Sequence, residues 1–285
     1  MPSLLTTDSK DSTSATAGSS TGSYLIPRTL YSTLIRAVRK KLVLRALAAF
    51  VIGPKNIRGS SIDVPLQEDT MNVYQVGEGA EIPLSTESYS SFNVKPLKYG
   101  CRILITKELI EDAMIDVMAY NVETAGYKLA ENEESLIVAQ LDAASAAAGN
   151  DINVGGSFSI SALSTAIQKL EAKNYNPTHL IVGAEVANDI RNISDFRRAN
   201  ESGVVDVSKR LIGTIFGVKV IQSNSVSAKL AYLIDANHAF MIAEKRPVTI
   251  EKQYDINRDA WVAAATQRIA AHYIRADAVC EITTT

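Results

Sequence analysis

The sequence is poor in the side chains that carry metal, redox and nucleophilic chemistry. It contains two cysteines, three histidines and one tryptophan among 285 residues. Cys101 and Cys280 lie far apart and match no metal or redox spacing, which predicts two reduced structural thiols. The histidines, at positions 179, 238 and 272, stand in separate predicted elements and form no metal-binding motif. These absences predict neither a metal site nor a cofactor.

The sequence also lacks the motifs of common enzymes. It has no G-x-S-x-G elbow, no Walker-type loop and no H-E-x-x-H. The glycine pair Gly77 and Gly79 gives only G-x-G, without the third glycine that a phosphate cradle needs. We therefore predict no catalytic residues and no enzymatic activity.

Long apolar runs are missing as well. No run approaches the roughly 18 residues that a membrane span needs, and the segment 1–23 lacks the apolar core of a secretory signal. We expect no membrane partner. The net charge of −2 gives no global reason to expect nucleic acid.

The N-terminal part of the chain changes character once. Residues 1–23 contain twelve Ser or Thr and predict a disordered tail. Residues 24–62 then contain eight basic residues and no Asp or Glu, and spacings of four between apolar residues predict an amphipathic helix over 28–50. The basic residues are Arg28, Arg36, Arg39, Lys40, Lys41, Arg45, Lys55 and Arg58. Two interpretations stay open: a solvated basic face, or an arm that meets a polyanion or an acidic neighbouring subunit.

An extended segment follows at 62–105. Ile62, Val64 and Leu66 alternate with polar residues, and a second alternating run leads to Ile105. The phase changes at Pro96, which predicts one kinked limb of a long antiparallel hairpin. Such a hairpin would extend beyond its own domain and needs another surface to lie on.

The segment after the hairpin predicts one long helix. It would run from about Ile115 to Ala147, after a cap region at Thr106, and end at Gly149. The predicted apolar stripe is Met118, Val122, Ala125, Leu129, Leu136, Gln140 and Ala143. The acidic pairs Glu111–Asp112 and Glu133–Glu134 are expected to be surface charges on this helix.

The remaining sequence predicts a compact α/β unit and a pair of closing strands. Over 151–243, helices and buried strands alternate, separated by a polar loop that contains Arg197 and Arg198. Over 247–285, the strand patterns are predicted to return to the first sheet.

The order of these parts resembles the major capsid proteins of tailed viruses, the Hong Kong 97 (HK97) fold. The resemblance rests on "GEGAEIP" followed by "FNVKPLKYGCRILITKELIEDA", on "LIGTIFGVKVIQSNSV" around Gly217, and on "HYIRADAVCEIT" with Arg275, Asp277 and Ala278. It implies an α+β fold with an N-terminal arm, a long hairpin called the E-loop, a peripheral domain with a spine helix, and an axial α/β domain. The implied ranges are a tail at 1–23, the arm at 24–60, the E-loop at 61–100, the peripheral domain at 101–150 and 246–285, and the axial domain at 151–245.

The resemblance implies a protein that assembles with itself, as hexamers and pentamers, into an icosahedral shell around double-stranded DNA. Further implied partners are a portal protein and separate scaffolding and decoration proteins. The protein would be assembled in the host cytoplasm and reside in the virion. Contacts to a neighbouring subunit or to DNA are expected from the arm, the E-loop and the axial loop: Arg28, Arg36, Arg39, Lys40, Lys41 and Arg45; Tyr74, Glu78, Glu81 and Phe92; and Arg197 and Arg198.

The sequence departs from some members of this family at two points. Only the short segment 1–23 precedes the arm, where some members have a folded scaffolding domain. Some members also join a loop lysine to an asparagine of a neighbour, but Lys95 and Lys98 lie at the hairpin base, and we predict no such crosslink. Two alternatives stay open: a shell protein of an encapsulin-type nanocompartment, and an α/β enzyme with a dimerisation arm.

Overall fold

The computed structural model describes residues 42–112, 116–193 and 211–285. Within them the chain forms four α-helices and twelve strands, which confirms the predicted α+β class. The helices are α1 (Lys107–Asp112), α2 (Val117–Ala148), α3 (Ile160–Glu171) and α4 (Ala184–Asn192). The strands are β1 (Phe50–Ile52), β2 (Ile62–Glu68), β3 (Ser88–Val94), β4 (Leu97–Thr106), β5 (Ile152–Val154), β6 (His179–Val182), β7 (Leu211–Ile215), β8 (Val218–Gln222), β9 (Leu230–Ile234), β10 (Phe240–Asp255), β11 (Ala260–Tyr273) and β12 (Val279–Thr284).

A six-stranded sheet of order β5-β12-β9-β6-β8-β7 forms the larger layer. Consecutive residues of a strand point to opposite faces, so the buried strand β6 supplies two cores. Leu180 and Val182 pack in the core formed with α3 and α4, whereas Ile181 packs in the core that contains residues of α2. The sheet is therefore covered on both faces, which explains its continuous apolar strands.

A four-stranded sheet of order β1-β10-β11-β4 forms the second layer. Helix α2 packs along one face, where Ala125 and Leu129 contact Ala265, Cys101 and Ile103. The opposite face is covered at one end by the base of the hairpin β2–β3. The rest of that face carries no element of the described chain against β4, whose alternate residues are exposed.

The long helix α2 is confirmed close to its predicted bounds. Asp116 caps its first turn by accepting a hydrogen bond from the Ala119 amide at 2.9 Å, and Gly149 ends it in the left-handed region at φ 64°. At 1.5 Å per residue its 32 residues extend about 48 Å. The predicted stripe is wrong after Leu129: the buried residues continue as Glu133, Glu134, Ile137, Leu141, Ala144 and Ser145. The i, i+4 spacing from Leu129 to Ile137 passes through Glu133, and Glu134 lies beside it; the prediction had placed both glutamates at the surface.

The prediction of a single kinked limb in the hairpin is wrong. The pairing of β2 with β3 ends at Val94, and β4 pairs instead with β11 in the four-stranded sheet. The buried Pro96 lies between the two strands, where the chain changes sheets. Proline has no amide hydrogen for a sheet ladder, so the limb divides there into two strands. Residues 97–100, predicted within the hairpin, therefore lie in β4.

The prediction that all closing strands return to the first sheet is also wrong. β10 and β11 belong to the four-stranded sheet, but β12 pairs with β9 and β5 in the six-stranded sheet. Val279 and Ile282 bury their side chains in the two cores on either side of that sheet. The chain end therefore ties the two layers together.

The predicted helix over 28–50 does not continue through its last residues. Leu44–Leu47 form one 3-10 turn, and Phe50 already begins β1. Leu44 and Leu47 are buried in the core beside α2, so tertiary packing overrides the helical pattern. The predicted tail and seven predicted contact residues lie outside the described residues: Arg28, Arg36, Arg39, Lys40, Lys41, Arg197 and Arg198.

A carboxyl pair joins α2 to the last strand and predicts a pH dependence of stability. Glu281 on β12 shares a hydrogen bond with Asp142 on α2. Burial, followed by this contact, raises the pKa of Glu281 from its ordinary 4.5 to about 7. The folded state binds this proton more tightly than the unfolded chain does, so the stabilisation is complete below pH 4.5 and is lost as the pH rises through 7.

We therefore expect the free energy of unfolding to fall between about pH 5 and pH 7.5, measured by urea titration of unassembled subunits. Glu281→Gln should flatten this part of the profile because glutamine keeps a hydrogen-bond partner for Asp142 without titrating. A wild-type profile that rises over the same range would contradict the assignment.

Candidate assembly interface

The hairpin β2–β3 projects from the body and is regular only near its base. Its strands pair antiparallel from Ile62 opposite Val94 to Glu68 opposite Ser88. The segment 69–87, which we name the hairpin tip, contains no strand. The hairpin is therefore a short ladder that carries a long extension.

Polar contacts hold the two limbs of the hairpin tip together. The Thr70 hydroxyl donates to the Thr86 carbonyl at 3.2 Å and accepts from the Ser88 amide at 3.0 Å. The Asn72 amide donates to the Ser85 hydroxyl at 2.9 Å. The chain reverses at Gly79, whose φ of 80° suits glycine. The hairpin tip thus keeps its shape with almost no apolar burial of its own.

Large apolar side chains of the hairpin tip face solvent. Val73 and Leu84 are 101% and 96% exposed, and Ile82 is 73% exposed. Met71 and Tyr74 are exposed as well. Several large apolar side chains exposed in one segment are typical of a surface that binds a partner.

The whole hairpin, ladder and tip together, carries charge of one sign. Between Arg58 and Lys95 the sequence has six carboxylates and no lysine or arginine: Asp63, Glu68, Asp69, Glu78, Glu81 and Glu87. The predicted contact residues Tyr74, Glu78 and Glu81 all lie exposed in the hairpin tip. A partner surface that is both apolar and basic would complement it.

Phe92, which stays a predicted contact, packs within its own subunit on the four-stranded sheet. Its ring stacks on His272 with centroids 4.6 Å apart, beside the buried Val94. The Arg275 guanidinium donates to the Gln67 carbonyl, which fixes the ladder to the end of β11. These contacts set the direction in which the hairpin leaves the body.

The outer face of β4 offers a basic and partly apolar surface. Lys98 and Arg102 are exposed, and Leu104 is 42% exposed, on the face turned away from α2. Arg268 lies opposite Lys98 in the neighbouring strand and is half-buried. We name this surface the basic face. Its charge is opposite to that of the hairpin tip.

The sequence analysis missed a cluster where the arm meets the body. Glu133 and Glu134 on α2 are buried, with 5% and 1% of their surface exposed. Glu133 binds the guanidinium of Arg45, the one predicted contact residue of the arm within the described chain, at 2.7 Å. The i, i+4 run from Leu129 through Glu133 to Ile137 was the signal that could have revealed the burial of Glu133.

The described residues form no metal-binding cluster and no membrane-spanning helix. Within 42–112, 116–193 and 211–285, no three His, Cys, Asp or Glu side chains are placed to hold a metal ion. In the same ranges, no helix is long and apolar enough to span a membrane. The buried Cys280 thiol has its pKa raised to about 12, chiefly by burial, which disfavours the reactive thiolate at neutral pH.

The comparison with family models identifies one family, and the comparison with solved structures shows a shared fold. The family model described as the phage capsid family matches residues 22–283. The fold is similar to a solved structure from Mycobacterium phage Che8, with 15% identity, a TM-score of 0.70 and coverage of 90% of this chain and 96% of that one. The capsid structure of the cyanophage P-SCSP1u gives 12% identity, a TM-score of 0.75 and coverages of 92% and 94%. The capsid of a native GTA particle gives 14% identity and a TM-score of 0.68, with coverage of 95% of this chain and 99% of that one. No curated protein matches the sequence.

The two-layered fold with a projecting hairpin and a long helix is thus the HK97-like fold of capsid proteins. The chain belongs to the phage capsid family. It is a structural protein that forms the shell of a virion.

Proposed function

We propose that this protein is the major head protein of a tailed virus and builds an icosahedral shell of hexamers and pentamers around double-stranded DNA. The observation that carries the proposal is the hairpin tip, a long extension with exposed apolar side chains and carboxylates. It has almost nothing to bury within its own subunit, so a second copy is the partner that completes it.

In this proposal the hairpin tip binds the basic face of the next copy. Its Lys98 and Arg102 would meet the carboxylates of the hairpin tip, and Leu104 would meet its apolar side chains. Charge complementarity of this kind speeds encounter and fixes the register between partners. A contact repeated around a ring closes a capsomer and leaves no free hairpin.

The parts of the chain divide accordingly. In our proposal the arm at 24–60 carries its basic residues toward packaged DNA or an acidic neighbour, and the E-loop is the hairpin β2–β3 with its tip. The peripheral domain is the four-stranded sheet with α2, and the axial domain is the six-stranded sheet with α3 and α4. The loop with Arg197 and Arg198 would contact the neighbour in the axial domain. The shell would assemble in the host cytoplasm.

The proposal assigns no catalytic activity to the chain. Further proposed partners are a portal protein and separate scaffolding and decoration proteins. Contact with DNA through the arm would depend on charge, without reading bases, and would weaken as salt concentration rises. The encapsulin alternative shares the fold but would enclose a protein cargo, and the match to the phage capsid family favours the virus.

Electron microscopy of the purified chain, with and without a scaffolding partner, tests this proposal. We expect closed shells, and native particles should show a 260/280 nm absorbance ratio typical of nucleic acid that persists after nuclease treatment. Shells filled with a protein cargo would favour the nanocompartment. A stable dimer that never assembles, even with the partner supplied, would contradict shell formation.

A further inference from the structure

The base of the arm, residues 42–48, begins with two backbone amides that no side chain of the arm caps. Val43 precedes the 3-10 turn Leu44–Leu47, and its side chain makes no capping hydrogen bond. The backbone amides of Val43 and Leu44 donate instead to one carboxylate oxygen of Glu134. The Leu44 nitrogen lies 2.8 Å from that oxygen. The other oxygen accepts from the Ser225 hydroxyl at 2.6 Å. A side chain on α2 thus caps a turn that lies 90 residues earlier in the sequence.

Glu133 binds the next part of the same segment. Both of its oxygens accept from Arg45, at 2.7 and 2.9 Å, and one also accepts from the Gln267 amide at 3.3 Å. The other nitrogen of the Arg45 guanidinium donates to Glu244 at 2.5 Å. Arg45 therefore bridges α2 and β10, and Glu133 bridges the arm and β11.

Two adjacent buried carboxylates in one helix are costly unless they have partners. Burial raises the pKa of Glu133 even though Arg45 opposes the shift, so the ion pair does not fully offset desolvation. The contacts that compensate come mainly from residues 43–45. The glutamates and the arm base therefore depend on each other.

Directly after the arm base, the chain is attached to β10 by contacts that do not depend on the glutamates. The Ala49 amide donates to the Phe240 carbonyl at 3.0 Å, and β1 then pairs with β10. These backbone contacts do not involve Glu133 or Glu134. Loss of the glutamate contacts would therefore leave residues 43–48 held mainly by the packing of Leu44 and Leu47, with the segment after them still in the sheet.

We propose that Glu133 and Glu134 form a latch that couples the long helix α2 to the basic arm. The latch fixes the point at which the arm joins the body, and its loss loosens residues 42–48, which then keep only the packing of Leu44 and Leu47, while both sheets stay folded. A shift of α2 against the sheets must then either carry the arm base with it or break the latch. The consequence for arm position in a shell rests on the proposed function, but the loosening itself does not.

Hydrogen exchange on unassembled subunits tests the latch separately from shell formation. Glu134→Ala should speed exchange in residues 42–48 at least about tenfold, because it removes a charged acceptor from the buried Leu44 amide and the part-buried Val43 amide. Exchange in β6 and β9 should stay unchanged. The matched control is Glu123→Ala, an exposed glutamate on the same helix, which should leave residues 42–48 protected.

Two milder variants keep the test decisive if Glu134→Ala fails to fold. Arg45→Met keeps the aliphatic stem and removes the ion pair, and Ser225→Ala removes one donor to Glu134. Each should raise exchange in residues 42–48 by a smaller factor than Glu134→Ala, without affecting β9. Unchanged protection of residues 42–48 in both variants would overturn the latch. So would a rise spread evenly over the whole subunit. Failed shell formation with a normal latch would count against the proposed function only.

Discussion

Replacing the hairpin tip by a two-residue turn should abolish shell formation and leave a folded subunit. Glu68 and Ser88 are directly paired, so an Asn-Gly turn can join them in place of residues 69–87. The removed segment contributes no buried apolar side chain to the described core, and we expect the free energy of unfolding to change by less than about 1 kcal/mol. Particle yield should fall at least about a hundredfold, measured by sedimentation and electron microscopy.

Point variants test whether shell formation needs the apolar side chains of the hairpin tip or only its length. Val73→Asp with Leu84→Asp places charge on two side chains that are almost fully exposed in the subunit. It should block shells as the deletion does, since charge would then be buried at the proposed contact. The control pair Val73→Thr with Leu84→Met keeps similar size and should still assemble. Normal shells from the short-turn variant would show that the hairpin tip is dispensable.

The largest expected effect on folding comes from adding one methyl group at Gly183. A Cβ there would lie 2.0 Å from the Ser227 carbonyl oxygen and 2.6 Å from that of Ala228. Both are backbone atoms, and the Glu185 amide at the start of α4 donates to the Ala228 carbonyl at 3.1 Å. Because the clashing atoms belong to the backbone, no change of side-chain rotamer can relieve the overlap. A shift of the backbone would break the hydrogen bond from Glu185 to Ala228.

We expect Gly183→Ala to reduce the free energy of unfolding by about 3 kcal/mol or more. The Tm should fall by about 6–12 °C, measured by calorimetry of unassembled subunits. The matched control is Gly126→Ala in the interior of α2, where no described atom outside the helix's own backbone lies within 4 Å of the added Cβ. That variant should gain about 0.5–1 kcal/mol because alanine favours a helix. A Gly183→Ala subunit as stable as the wild type would contradict the close backbone crossing.

Local patterns predicted the elements that local interactions determine. The helix α2 has its cap at Asp116 and its stop at Gly149, and the prediction came close to both ends. Ser159 at the N-cap of α3 and Gly183 at the start of α4 are residue types that favour these positions. Capping groups and left-handed turns depend on neighbouring residues, so a single sequence contains them.

Sheet membership and buried charge could not be predicted in this way. Alternation shows that Leu97–Thr106 is a strand, but its partner β11 comes from a distant segment near the C-terminus. The burial of Glu133 and Glu134 depends on Arg45, Ser225 and Gln267, which come from three distant segments. Nothing near the glutamates distinguishes them from exposed charges, apart from the place of Glu133 in the i, i+4 run.

The most direct test of the central claim is zero-length carbodiimide crosslinking of assembled particles. The particles would be built from an equal mixture of 14N- and 15N-labelled subunits, so that crosslinks between copies contain both isotopes. The hairpin tip has carboxylates and no lysine, and Lys98 lies exposed on the basic face. Our account predicts mixed-isotope crosslinks from Glu78 or Glu81 to Lys98. Crosslinks of a single isotope only, or a hairpin tip that forms none in intact shells, would contradict it.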